Sequence, residues 1–286
     1  MKQDKVIKTI LMLVALSAIA GLALIAVFIV KEGLPIILRV GPSQFLLTKD
    51  WYPREGKFGI LSMIVGSLAV MTGAMIIAIV FSMGCAIVLT QFCPKKFVSL
   101  LKPSIELLAG IPSVVYGFVG VVTVVPLIRE NLGGPGLSML AASVVLGVMV
   151  LPTVTSIAVD ALQAVPRAYW EGSIALGATR WQTTRMVMLR AAKSGIVAAI
   201  ILGMGRAIGE TMAVIMVAGN SLALPTSILS PVRTLTSNIA LEMGYATGDH
   251  RQALFATGLT LFVVIMILNS LALTMSRRRA KSGGGR

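Results

Sequence analysis

Residues 137–159, LSMLAASVVLGVMVLPTVTSIAV, run for 23 positions without an ionisable side chain. As a helix rising 1.5 Å per residue, such a stretch is about 34 Å long, enough to cross a hydrocarbon core of about 30 Å. Read outward for charge, the chain has four further uncharged runs at 10–30, 59–92, 111–128 and 253–275, and a fifth at 194–220 that only Arg206 and Glu210 interrupt. The whole chain agrees: of 286 residues, 56% are apolar and only 13% charged, about half the usual charged share of a soluble domain. Mean hydropathy is +0.91. An ordinary soluble protein is excluded, and six spans predict an all-α membrane protein.

The first run has a basic leader (Lys2, Lys5, Lys8) and an Ala18-Ile19-Ala20 triplet, as a signal peptide would. Its apolar stretch continues ten residues past that triplet, longer than the usual h-region, so it reads as an uncleaved first span. Cys85 and Cys93 are eight apart in or beside an apolar run, which supplies neither a disulfide framework nor a metal knuckle. The lone histidine, His250, excludes a histidine-based metal centre. No metal site is expected.

Six alternating spans leave one choice, which end faces the cytoplasm. Placing the N-terminus inside puts sixteen Lys and Arg on the cytoplasmic side against eight outside, with net charges of +12 and +2. The positive-inside rule therefore sets both termini in the cytoplasm. The chain's +14 net charge then follows from topology and anionic lipid, without nucleic acid. The expected organisation is a cytoplasmic N-terminus (1–9), a first span (10–30), an extracytoplasmic segment (31–58), a five-helix core (59–275) and a basic cytoplasmic tail (276–286), its end disordered from Ser282.

The outer segments read as a docking platform for another protein or as an interfacial aromatic belt. The belt is favoured for Trp51 and Tyr52, and His250 is expected in water. Prolines and glycines interrupt the spans: Gly110 and Pro112 open the third, Pro152 lies inside the fourth, and Gly203, Gly205 and Gly209 lie along the fifth. Such residues serve close helix packing, or helix breaks where a cavity satisfies the freed backbone groups.

The loop at 161–193 is the one substantial cytoplasmic segment. Pro166 suits a helix start, Gly177 a stop, and a second helix is expected from about Thr179. Tyr169, Ser173 and Leu176 share one face, and Trp170, Ile174 and Gly177 the next, giving an apolar stripe that needs a cover. That cover is a partner, the chain's own helix ends or lipid headgroups.

Only Arg206 and Glu210 remain near the middle of an apolar run. Four apart in a helix, they would share a face about 6 Å from one another. Each costs roughly 2.5–3.5 kcal/mol at a bilayer centre, so such residues usually face a bundle interior or a water-filled path. They read either as a self-neutralising structural pair or as an anion site, with Arg206 forking onto an oxyanion and Glu210 holding the guanidinium. Thr211 and Asn220 could add neutral donors, although Thr211 could equally bond its own backbone.

Two patterns now carry a family resemblance. Glu171-Gly172-Ser173, three residues, Gly177, nine residues and Val187-Met188-Leu189 resemble the EAA loop of ABC-importer permeases. Gly172 and Ser173 stand for the two alanines, Val187 for Ile, and Arg190 for the final Pro. Gly205-Arg206-Ala207-Ile208-Gly209-Glu210-Thr211-Met212-Ala213-Val214 closely resembles the fifth-span signature of phosphate-specific ABC permeases. The continuation to Asn220 is more like PstC-type than PstA-type subunits. Phe58-Gly59-Ile60-Leu61 and Gly110-Ile111-Pro112-Ser113-Val114-Val115-Tyr116-Gly117 extend the match over most of 56–220.

The resemblance implies a six-span type I ABC-importer permease of the MetI-like fold, with a cytoplasmic EAA coupling helix. It implies a PstA-type permease as heterodimer partner, a PstB-type ATPase dimer below and a PstS-type phosphate-binding protein outside. Substrate would pass Arg206, Glu210, Thr211 and Asn220, beside the Gly110–Pro112 break. Glu171, Gly172, Ser173, Gly177 and Leu189 would couple to the ATPase. No GxxxxGK[ST] loop occurs in the chain, so ATP and Mg belong to the partner ATPase; no catalytic residue or cofactor is expected here. The alternatives are a permease for sulfate, molybdate or phosphonate, or an ion-coupled carrier using Glu210 as a proton relay.

Overall fold

The computed structural model describes residues 2–281, so the expected disorder of Ser282–Arg286 lies outside the described residues. The chain divides into two compact units, Met1–Leu61 with Asn238–Val263, and Ser62–Ser237 with Val264–Arg286.

In the first unit, α1 (Lys2–Val40) does not end at residue 30. It continues ten residues into the segment expected outside the membrane, because 31–40 contains only scattered polar groups and a single proline, Pro35, that the helix accommodates. A short helix α2 (Pro42–Leu47) and a two-stranded antiparallel hairpin follow, β1 (Trp51–Tyr52) and β2 (Lys57–Phe58), pairing Trp51 with Phe58. The chain returns to this unit at the end of α13 (Leu235–Glu242) and the start of α14 (Gly248–Lys281). α1 and α14 run antiparallel: Arg39 pairs with Asp249 at 2.7 Å, and a Cβ on Gly33 would lie 2.8 Å from the Ala256 backbone nitrogen.

Trp51 departs from the belt expected of it. It is 2% exposed, stacks edge-on against Phe58, and donates its indole N–H to Glu242 Oε2 at 2.9 Å. His250 is not in water either: its Nε2 bonds the same carboxylate oxygen at 2.8 Å, with Tyr245 and Trp51 packed beside the ring. A buried indole needs an acceptor for its N–H, and Glu242 supplies it here. Tyr52 stays exposed.

The second unit is built on α3 (Leu61–Ile87, prolonged by a π turn to Phe92), α7 (Met139–Gln163) and α11 (Lys193–Gly209). Small residues set their contacts. α3 and α7 are parallel, with Gly73 against Ser143, Gly147 against Ala74 and Ile77, and Ser82 Oγ donating to the Leu151 carbonyl at 3.0 Å. α11 runs antiparallel to α7, Gly195 meeting Ala161 and Gly203 meeting Val154. Close backbone approach through small residues is how helices associate where lipid removes the hydrophobic drive. The directions found are those of alternating spans.

Between α3 and α7 lies a helix absent from the expectation, α4 (Lys95–Ala109). Its lysines and short apolar stretches gave no uncharged run to detect. The Lys102 ammonium binds Asp160 of α7 at 2.6 Å, which holds the lysine above its ordinary pKa range. The third span then runs through α5 (Ser113–Val119), a π turn at Gly120–Val124 and α6 (Val125–Leu132).

Candidate functional site: two broken helices and an exposed loop

The fifth span is not the single helix expected over 194–220. α11 stops at Gly209, Glu210 adopts an extended backbone (φ −70°, ψ 131°), and α12 (Met212–Val217) restarts two residues later. Several of the freed groups find partners within the protein. The Glu210 carboxylate accepts the Ala213 N–H at 3.2 Å, and Thr236 Oγ1 donates to the Glu210 carbonyl at 3.0 Å. A break at membrane depth is tolerated where the protein re-satisfies the backbone in this way.

This corrects the pairing of Arg206 with Glu210. The two do not share a helix face, because Glu210 lies beyond the helix end and its carboxylate is directed onto α12. Among the described residues Arg206 forms no salt bridge. Its guanidinium is exposed, thirteen residues beyond Lys193 and so about 20 Å along α11. At that depth it interacts electrostatically with the Tyr116 hydroxyl of α5.

Thr211 and Asn220 turn to the backbone. Thr211 Oγ1 donates to the Gly209 carbonyl at 3.4 Å, and Asn220 Nδ2 to the Ile215 carbonyl at 2.8 Å. Asn220 sits at φ 51°, a left-handed conformation that asparagine tolerates. Its Oδ1 is buried without a hydrogen-bond partner, while its carbonyl accepts Arg233 Nε at 3.0 Å. The segment after α12 also caps α7: Met139 and Leu140 N–H groups donate to Ser230 and Ile228 carbonyls, both at 2.9 Å, and Ser138 caps Ala141.

A second break lies beside the first. Gly110 and Pro112 separate α4 from α5, and α5 packs on α12, where a Cβ on Gly117 would meet the Met216 sulfur at 2.8 Å and Ala213 Cα at 3.0 Å. Three residues on, Gly120 meets Val217. α5 and α12 are therefore parallel, and counting back along both brings Pro112 level with Gly209 and Glu210. Two discontinuous helices, broken at one depth, stand next to an unpaired arginine. The signal in sequence was the proline and glycine content; Tyr116 entered the sequence reading only within the Gly110–Gly117 match, with no sign that it lies near Arg206.

The loop from 161 to 193 forms a short helix, α8 (Arg167–Ala175), whose end explains its glycine. Gly177 has φ +83°; its N–H bonds the Ile174 carbonyl at 2.9 Å, and the Ala178 N–H bonds the Ser173 carbonyl at 3.2 Å. That double closure needs a left-handed residue, for which glycine carries no Cβ penalty. The second helix, α9 (Arg180–Thr183), starts at a capping box of Thr179 and Gln182, passes through a π turn into α10 (Leu189–Ala191), and meets α11 at a 70° bend. Ser173 and Thr183 hydroxyls clamp the two helices at 2.9 Å.

Tyr169, Glu171, Gly172 and Leu176 are exposed, Leu176 by 90%, while Leu189 is half-buried. Trp170 turns inward to line an open cleft of ≈ 910 Å³ with Gln91, Lys102, Glu106, Arg167 and Glu171.

The family model described as binding-protein-dependent transport system inner membrane component matches residues 78–281, most of the chain and all of the two-break region. The chain belongs to that family. Among its relatives, a probable ABC transporter permease protein, YqgH of Bacillus subtilis, is 43% identical, the match covering 93% of this chain and 88% of the relative. The PstC phosphate transport permeases of Haemophilus influenzae and Mesorhizobium japonicum are 37% and 34% identical, covering 92% and 90% of this chain and 90% and 87% of theirs.

In fold the chain is similar to the MetNI methionine ABC transporter in inward-facing form (TM-score 0.55, 22% identity, 76% of this chain and 92% of that one). It is similar also to an amino acid ABC transporter (TM-score 0.55, 18% identity, 77% and 93%). The all-α permease fold of ABC importers, expected from the sequence, is the fold observed. This family member is a multi-pass membrane protein: among the described residues five helices are long and apolar enough to span, and the bent pair Arg180–Ala191 and Lys193–Gly209 makes a sixth if it is counted as one span. The resemblance to PstC-type permeases extends beyond residues 56–220 to most of the chain.

Proposed function

We propose that this chain is the PstC-type half of an ATP-driven importer of inorganic phosphate, and that Arg206 is the group the anion meets in the pathway. The carrying observation is the exposed guanidinium of Arg206, unpaired at membrane depth beside two broken helices. Left against lipid it would cost roughly 2.5–3.5 kcal/mol on insertion scales, so it must face water or another chain. A planar fork of donors there suits a tetrahedral oxyanion. The phosphate-transport names of its PstC relatives support the substrate.

In this reading a PstA-type permease supplies the other half of the pathway, a PstS-type protein delivers phosphate, and two PstB-type ATPases close beneath. The chain is non-catalytic and binds no cofactor; ATP and Mg belong to the ATPase. Both termini lie in the cytoplasm of a prokaryote, as the charge bias requires, which puts α8 on the ATPase side. Glu171, Gly172, Ser173 and Gly177 then form the coupling helix, with Leu189 behind it. Its exposed Tyr169 and Leu176 give the ATPase an apolar surface. Glu210 and Thr211 shape the break, and Asn220 holds the segment that follows it. Alternating access follows only if ATP binds one of the two states more tightly, since an anchor of equal affinity shifts nothing.

The test is labelled-phosphate uptake into vesicles holding this chain with its three partners, native and Arg206→Ala, with sulfate as competitor. ATP-dependent, sulfate-insensitive uptake that the substitution abolishes is expected. Sulfate inhibition would reassign the substrate, and uptake by this chain alone without ATP would make it an ion-coupled carrier.

A further inference from the structure

Pro112 has no N–H, so the Leu108 carbonyl four residues before it loses its helical donor. Ile111 N–H reaches that oxygen at 3.3 Å, and the shorter bond comes from Tyr116 Oη, which donates to it at 2.8 Å across the break. Tyr116 thus fastens the first turn of α5 to the last turn of α4. It is only half-buried, and the same hydroxyl lies in the field of Arg206. The register of α5 on α12, fixed at Gly117 and Gly120, keeps it level with the fifth-span break. One donor therefore holds a neutral carbonyl at the break while within the electrostatic reach of Arg206.

We propose that Tyr116 is a second anion-contacting residue, whose hydroxyl exchanges the Leu108 carbonyl for a phosphate oxygen held at Arg206 and so ties occupancy of the pathway to the angle of the third-span break. The inference rests on the reading that Arg206 meets the anion. A hydrogen bond to a charged oxygen is about twice as strong as one to a neutral carbonyl, which favours the exchange when the anion is present. When the anion leaves, the bond to Leu108 reforms and the break regains its first geometry. The site's ligand is a tetrahedral oxyanion with at least one ionised oxygen.

The experiment places fluorine on the ring, Tyr116→3-fluorotyrosine, in the membrane complex of this chain, the PstA-type permease and the two PstB-type ATPases, without the binding protein. The fluorine resonance is followed while inorganic phosphate is added, in native and Arg206→Ala backgrounds. A saturable shift that Arg206→Ala removes is expected, since a purely structural bond to Leu108 would not respond to phosphate. In parallel, Tyr116→Phe, which keeps the ring, should slow phosphate uptake about tenfold, the order set by one charged hydrogen bond. If Arg206→Ala abolishes uptake while the resonance ignores phosphate, or Tyr116→Phe transports like the native chain, Tyr116 has no such role and the Arg206 reading stands. If Arg206→Ala transports normally, the underlying reading has failed, and this proposal with it.

Discussion

The Glu210 carboxylate accepts the Ala213 N–H at 3.2 Å, across the gap where α11 has ended and α12 has not yet closed its first turn. The acid that looked like a counter-ion for Arg206 is a cap. Its effect is to begin a six-residue helix that could not begin alone, because a first turn fixes several dihedrals for a single hydrogen bond.

Glu210→Gln and Glu210→Ala should therefore differ. The amide oxygen of Gln still accepts the Ala213 N–H, whereas Ala leaves it unmet at a cost of about 0.5–2 kcal/mol. Thermal unfolding in detergent should place Gln near the native chain and Ala below it. Equal loss from both would restore the counter-ion role.

Two glycines on α11 predict opposite outcomes. Gly195 abuts the Ala161 Cβ, which has no rotamer to yield, so Gly195→Ala must part α11 from α7 at about 1–3 kcal/mol. Gly205 has nothing within 4 Å of its would-be Cβ, so Gly205→Ala should be neutral or stabilising by up to about 1 kcal/mol. Detergent unfolding of the two single variants checks the pair; similar stability would contradict the packing seen between the helices.

At Gly177 the conformation decides. With φ +83°, any residue bearing a Cβ is strained by about 1–2 kcal/mol, and a β-branched one most. Gly177→Val should shift the end of α8 and leave the spans inserted, while Gly177→Asn is milder. Co-purification of the ATPase with each variant measures the effect: loss with Val and retention with Asn is expected. Unchanged association with Val would remove α8 from the docking surface.

Much of the fold was legible because lipid makes hydrophobicity a nearly sufficient signal. Residues 139–163 had to be a helix once 137–159 lacked charge, and Gly177 stopped α8 for the reason its spacing suggested. What stayed hidden depended on partners distant in sequence. A charged pair four apart reads identically in a continuous helix and in a broken one; the break at Glu210 is completed by Thr236, 26 residues away. Trp51 and His250 gave no hint of sharing Glu242, because the indole and its acceptor are 191 residues apart. α4 escaped for a different reason: amphipathic and carrying Lys95, Lys96 and Lys102, it has the composition of a connecting loop. Arg206 itself was visible, since a charge in a long apolar run needs no tertiary knowledge to be noticed.

The central claim is that the fork of Arg206, and not merely its charge, meets the anion. Initial rates of labelled-phosphate uptake into vesicles bearing the complete transporter, compared for native, Arg206→Lys and Arg206→Ala, test it most directly. Lysine keeps the charge but cannot donate two parallel hydrogen bonds, so Arg206→Lys should fall at least about tenfold, by the 1.5–3 kcal/mol of one charged hydrogen bond. Arg206→Ala should transport nothing measurable. Native rates in Arg206→Lys would contradict the claim and leave the arginine as a charge in the pathway wall.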